Sequence, residues 1–166
     1  MACALTQGYA LDCRKSYGGI KQVWFIELAN ATLTKTGSLV TAITLESGKF
    51  WKKYELVVET AEATATGTHS REMGTSSYAD SLTFPINKRN TSVRDELLFL
   101  AQNRLLIVEE DNNGTKWVHG LTNGMMLETD AHKSGIKYAD RNGFELTFTG
   151  IEKEPPCEVS AAIVTS

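Results

Sequence analysis

The chain has 166 residues, 42% of them apolar and 22% charged, with a net charge of −3, which suits one domain with one sizeable core. The slight acidity argues against a dedicated nucleic-acid binder, because such proteins carry a basic surplus to neutralise phosphate, and here no run of Lys and Arg exceeds two residues, as at Lys52-Lys53 and Lys88-Arg89. No stretch is long and apolar enough to span a bilayer, and Met1 to Gly8 has neither the basic nor the apolar region of a signal peptide, so the expectation is folding in a reducing cytoplasm with no membrane partner.

Residues 1–18 are turn-rich and read as an N-terminal arm. Ile20 to Leu28 (I-K-Q-V-W-F-I-E-L) is β-branched and aromatic, the mark of a core strand. Asn30 and Lys35-Thr36-Gly37 are turn signals. Leu39 to Leu45 is a second strand, reversed at Ser47-Gly48-Lys49. From Phe50 to Thr68 the chain alternates without Pro. Tyr54, Leu56, Val58, Thr60, Glu62, Thr64 and Thr66 take one face; Val57, Glu59, Ala61, Ala63 and Ala65 take the other. About 15 strand residues would reach roughly 50 Å, well beyond the usual about 5–6 residues. Its distal half has too little apolar area to pack alone. It reads as an arm whose edges pair with a neighbouring molecule; a bent strand serving two sheets of one sandwich is the alternative. The Thr content disfavours a helix.

His69 to Asp80 is polar and Gly-containing and reads as a loop. Ser81 to Asn87 returns as a strand with Leu82, Phe84 and Ile86 on one face, and Pro85 places it at an edge. Ser92 and Asp95 form a variant capping box, and Val93, Leu97, Leu100 and Ala101 recur at helical spacing: one short amphipathic helix. Hairpins follow. Leu105 to Glu109 and Thr115 to His119 flank Asp111-Asn112-Asn113-Gly114, an Asn-Gly type I′ signal. Met125 to Glu128 is a strand and Thr129 to Gly135 a loop. Asp140-Arg141-Asn142-Gly143 is a second Asn-Gly turn, launching Phe144 to Glu152. Pro155-Pro156 ends that strand, and Cys157 to Ser166 is a tail without periodicity. The organisation expected is therefore an arm at 1–18, a β-sandwich or barrel at 19–154 with an arm loop at 69–80, and a tail at 155–166.

No constellation for chemistry emerges. There is no G-x-S-x-G elbow, and no local signature joins Cys13 to a histidine. Glu109-Glu110-Asp111 and Asp140 adjoin turns, where carboxylates serve solvation and turn geometry. Asp111-Asn112-Asn113-Gly114 lacks the alternate ligands and distal Glu of a Ca²⁺ loop. His69, His119 and His132 stand alone, so no metal or other cofactor is expected. Cys3, Cys13 and Cys157 are an odd count without a CxxC pair and are expected to be free thiols. Gly18-Gly19 precedes a strand, not the helix of a phosphate cradle. Trp24, Trp51 and Trp117 sit in strand patterns, as core or interface anchors do. The sequons at Asn30, Asn90 and Asn113 are read as chance matches.

Taken in order, the elements are long antiparallel strands with an extended β-hairpin arm, one short helix, then hairpins. This order resembles the tail tube proteins of tailed phages, and the segments Asn90 to Leu100, Asp111 to Gly120 and Asp140 to Glu152 look like those of phage virion proteins; the resemblance covers roughly residues 20–154. The match is architectural and rests on no diagnostic motif. The resemblance implies a non-enzymatic virion subunit, a β-sandwich flanked by a helix, forming stacked rings, commonly hexameric, around a channel that DNA crosses transiently and without sequence preference. It implies contacts with other virion proteins. Val57, Ala61, Ala63 and Ala65 would then meet the next subunit, and Thr60, Glu62, Thr64 and Thr66 would face the channel. Arg71, Glu72, Met73, Gly74 and Tyr78 would touch the next ring. Two alternatives stay open: a head–tail connector ring or capsid-decorating protein, and a small enzymatic or ligand-binding sandwich.

Overall fold

The computed structural model describes residue 5, residues 7–163 and residue 165; Cys3 lies outside them. The fold is mainly β, two sheets and a single helix, and neither sheet closes into a barrel. The strands are β1 (Ile20–Glu27), β2 (Ala31–Thr36), β3 (Leu39–Leu45), β4 (Lys52–Glu55), β5 (Glu62–Ser70), β6 (Thr75–Asn87), β7 (Leu105–Asp111), β8 (Lys116–His119), β9 (Met126–Lys133), β10 (Gly143–Glu152) and β11 (Cys157–Val159), with α1 (Thr91–Gln102) between β6 and β7. Seven strands form one sheet in the order β2-β3-β11-β8-β7-β1-β4; four form the other, β5-β6-β10-β9.

The central strands β1 and β7 of the seven-stranded sheet are buried on both faces, which explains their near-continuous apolar runs Val23-Trp24-Phe25-Ile26 and Leu105-Leu106-Ile107-Val108. Val23, Phe25 and Ile107 point toward the four-stranded sheet, meeting Leu82, Phe84, Phe144, Leu146 and Phe148, with Leu97 and Leu100 of α1 closing the same core. Phe25 sits 5.1 Å from Phe148 and 6.0 Å from Phe84, ring centre to ring centre. Trp24, Ile26, Leu106 and Val108 point the other way, into a second core with Trp51, Val118, Cys157 and Val159.

Several expectations are corrected. The alternating run 50–68 is two strands: β4 pairs with β1 and β5 with β6, in different sheets. Between them Glu59 adopts φ +60°, and Thr60 Oγ1 donates to the Val57 carbonyl at 2.6 Å, so the chain turns from one sheet to the other. Strand alternation says nothing about which sheet a strand joins: the run is neither one long arm nor one bent strand but two strands, joined by a turn, that serve the two sheets. The expected loop 69–80 is strand on both sides of a four-residue turn, Arg71 to Gly74. Both faces of that hairpin are wet, so its strands carry no apolar alternation to reveal them. The polar half of β9, read as a loop, is likewise mostly wet; β2, which runs into the turn signal at Lys35-Thr36, has only Ala31 and Leu33 to show its inward face, and these pack against the second core.

Residues 157–159 form a strand in the middle of the larger sheet, parallel to β3 and antiparallel to β8; three residues are too few to show a period. The helix is capped by Asn90, whose Oδ1 accepts from Val93 N at 2.7 Å, rather than by Ser92. In the 111–115 turn only Gly114 has positive φ, and Asp111 N donates to Thr115 O at 3.0 Å. That is a three-residue connection with a left-handed glycine, not type I′. Asn142-Gly143 is no tight turn either: Gly143 already pairs with Lys133 and Asn87. From Phe84 onward β6 has β10 alone beside it, in line with Pro85 at an edge.

Candidate functional site

Three features carry the functional argument: the outer face of the four-stranded sheet, its free edge at β5, and a charge cluster buried between the sheets.

The register fixes the outer face. Glu62 lies opposite Thr83 and Thr64 opposite Ser81; Thr83 and Ser81 lie opposite Thr147 and Thr149; and Thr147 lies opposite Thr129. Directly opposed residues share a face, so these hydroxyls form a band across all four strands. Thr83 Oγ1 and Thr147 Oγ1 are 3.3 Å apart. Lys133, at the margin of this face, is ion-paired with Glu145. Of the expected channel residues, Glu62, Thr64 and Thr66 lie in β5 and are exposed; Thr60 belongs to the connection and lies off the strand.

The opposite face of β5 turns inward. Ala61 is 9% exposed and belongs to the subunit's own core, and Ala63 packs against it. Of the four residues assigned to a neighbour's contact, these two are thus occupied within the subunit, while Ala65 and Val57 are exposed. β5 ends its sheet, and β6 reaches past β10, whose pairing with it stops at Tyr78. The stretch from Thr68 to Ser77 therefore projects as a two-stranded arm. His69 Nδ1 and Ser76 Oγ are 2.7 Å apart across it. Tyr78 is not in the loop: it pairs with Gly67, where a Cβ would come within 3.0 Å of its ring. Arg71, Glu72, Met73 and Gly74 are the exposed tip, with Met73 79% exposed.

Asp80 of β6, Glu109 of β7 and His119 of β8 converge between the sheets and are buried. His119 Nδ1 lies 3.3 Å from Asp80 Oδ2 and its Nε2 3.2 Å from Glu109 Oε1. The Nε2 contact lacks hydrogen-bond alignment. Asp80 Oδ1, Glu109 Oε2 and His119 Nε2 have no hydrogen-bond partner among the described residues. Burial alone would push the imidazole pKa down; the contacts with Asp80 and Glu109 outweigh it and raise the pKa to about 9. His119 is therefore an imidazolium near neutral pH, clamped between carboxylates from both sheets. Sequence reading left His119 alone and gave Glu109 to solvation. The available signal was that Ile107, Glu109 and His119 fall on one face of the β7–β8 hairpin. Asp80, from another sheet, gave none.

A second buried carboxylate, Glu152, accepts from the backbone N–H groups of Thr122, Asn123 and Gly124 at 2.8–3.2 Å. It ties the segment after β8 to β10 and is fully satisfied, an anchor rather than a reactive group. Among the described residues no group of three or more His, Cys, Asp or Glu is arranged to hold a metal. Cys13 and Cys157 are free thiols, the first exposed and the second buried. Trp24 and Trp51 are core residues. Among the described residues no helix is long and apolar enough to cross a membrane. No family model, curated protein or solved structure matches the chain.

Proposed function

We propose that this chain is a structural subunit of a phage virion, of the tail-tube kind, which assembles into stacked rings around a DNA channel. The observation that carries the reading is the outer face of the four-stranded sheet. Tube walls must stay wet without holding phosphate, and each unpaired Lys or Arg on a wall would bind DNA and slow it. The hydroxyl band, with Glu62 at one margin and Lys133 neutralised by Glu145, has the required chemistry. The projecting hairpin and the free β5 edge supply a means of joining copies, since edge backbone groups are a template for another chain.

Electron microscopy of the purified protein tests the assembly: rings and stacked tubes support the reading, single rings favour a connector, and a monomer at high concentration refutes it. Particles carrying Glu62→Lys test the wall. They should assemble but eject DNA more slowly, with the defect relieved by salt. Normal ejection at low salt would place Glu62 outside any channel.

A further inference from the structure

We propose that residues 7–15 of one copy add as an antiparallel strand to the free edge of β5 in a second copy, placing Arg14 at the acidic cleft between the sheets and Lys15 beside Glu62 on the outer face. The inference rests on the assembly reading and names the contact that would build it.

The β5 edge lacks the usual protection. Edges are commonly blunted by Lys, Pro, bulges or shortness. Here β2 carries Lys35 and a bulge, β4 has four residues including Lys52 and Lys53, and β9 carries a bulge with Asp130 and Lys133. β5 offers nine residues, Glu62 to Ser70, without Lys, Pro or a bulge. Its backbone is an open row of donors and acceptors on the side away from β6.

The proposed occupant forms no helix or strand of its own; within it Lys15 N donates to the Cys13 carbonyl at 2.8 Å, a turn that strand addition opens. Residues 7–19 are exposed and form no helix or strand. Tyr9 is 89% and Leu11 93% exposed. Among the described residues the arm is fastened at its inner end, where Asn113 Oδ1 accepts from Tyr17 N at 2.8 Å and Asn112 Nδ2 donates to Gly18 O at 2.6 Å. Residues 7–15 match β5 in number, so both span about 30 Å as strands.

Charge sets the direction. Beside β5 the two sheets and the chain's own Ser16 to Gly19 enclose a cleft of about 300 Å³ whose walls include Glu62, Glu109 and Asp111, adjoined by a space of about 230 Å³ shared by Ala63, Ala65, Glu109 and His119. Glu109, which borders both, is 8% exposed and its Oε2 lacks a partner. A cationic side chain is what such an oxygen recognises. Antiparallel addition with Lys15 opposite Glu62 sets Arg14 opposite Ala63, on the cleft side with Glu109, and Cys13 opposite Thr64 on the outer face. Strand addition gives affinity through the main chain and specificity through alternate side chains.

The register is tested by disulfide trapping, because opposed strand residues approach closely enough for an S–S bond. One species carries Cys3→Ser and keeps Cys13; the other, with a distinguishable tag, carries Cys3→Ser, Cys13→Ser and Thr64→Cys. Mixed, assembled and oxidised with copper phenanthroline, they should give a cross-linked heterodimer that neither gives alone. Adding Arg14→Glu and Lys15→Glu to the first species should cut the yield about tenfold. Three results overturn the proposal: no heterodimer although rings form by microscopy, a yield indifferent to the charge reversals, or, in a single chain holding both thiols, an intramolecular bond that outcompetes the intermolecular one. The first leaves the assembly reading standing; absence of rings as well would remove both.

Discussion

Raising the pH should loosen the two sheets, and His119 is the group responsible. An imidazolium whose pKa is raised by folding contributes stability that is complete below its unfolded value and is lost as pH climbs through the folded value. Here the folded value is about 9 against 6.5 unfolded. At about 1.4 kcal/mol per pH unit, the whole contribution is about 3 kcal/mol. Between pH 7 and pH 9.5 about 2 kcal/mol of it should disappear. Staying below pH 10 keeps the assay clear of Tyr54, whose phenol is pushed up to about 12 by burial, with Glu96 adding to the shift. The measurement is urea unfolding by Trp fluorescence at the two pH values. His119→Gln removes the cation and leaves Asp80 and Glu109 facing each other's field unpaired. It should cost about 3–5 kcal/mol at pH 7, the usual effect of breaking a buried pair, and its remaining stability should change little between pH 7 and 9.5. Equal pH-dependent losses in the two proteins would refute the assignment, as would a wild-type midpoint that stays put.

Glu152→Ala strips the backbone N–H groups of Thr122, Asn123 and Gly124 of their acceptor, and because Gly124 is the buried one it should destabilise by about 1–3 kcal/mol, the cost of a buried donor left unmet; an unfolding midpoint within error of wild type would show that water replaces the carboxylate. Gly143→Ala places a Cβ 2.0 Å from the Ile86 carbonyl oxygen, so β6 and β10 must part at that end. Amide hydrogen exchange should show lost protection at Gly143 to Glu145 and at Pro85's neighbours Phe84 and Ile86, and unchanged protection there would mean the strands absorb the methyl without separating.

The β class, the apolar core strands and the helix were legible because their signals are local. Val23 to Ile26 and Leu105 to Val108 are apolar on both faces, and Leu97 and Leu100 recur at helical spacing, so these residues declare burial wherever the chain takes them. The wet strands were not legible. The 69–70 and 75–80 limbs of the arm and the second half of β9 are strands because a neighbour pairs with their backbone, and pairing partners are chosen by the fold. The 50–68 run shows the same limit: its alternation is real in both halves, but only tertiary structure turns Glu59 to positive φ and sends the halves to different sheets. The charge cluster is the sharpest case. Asp80, Glu109 and His119 each look like ordinary polar residues at the ends of strands. What makes them a unit is the stacking of one sheet on the other, which removes water from all three at once and leaves a proton as the means of balancing the buried carboxylates.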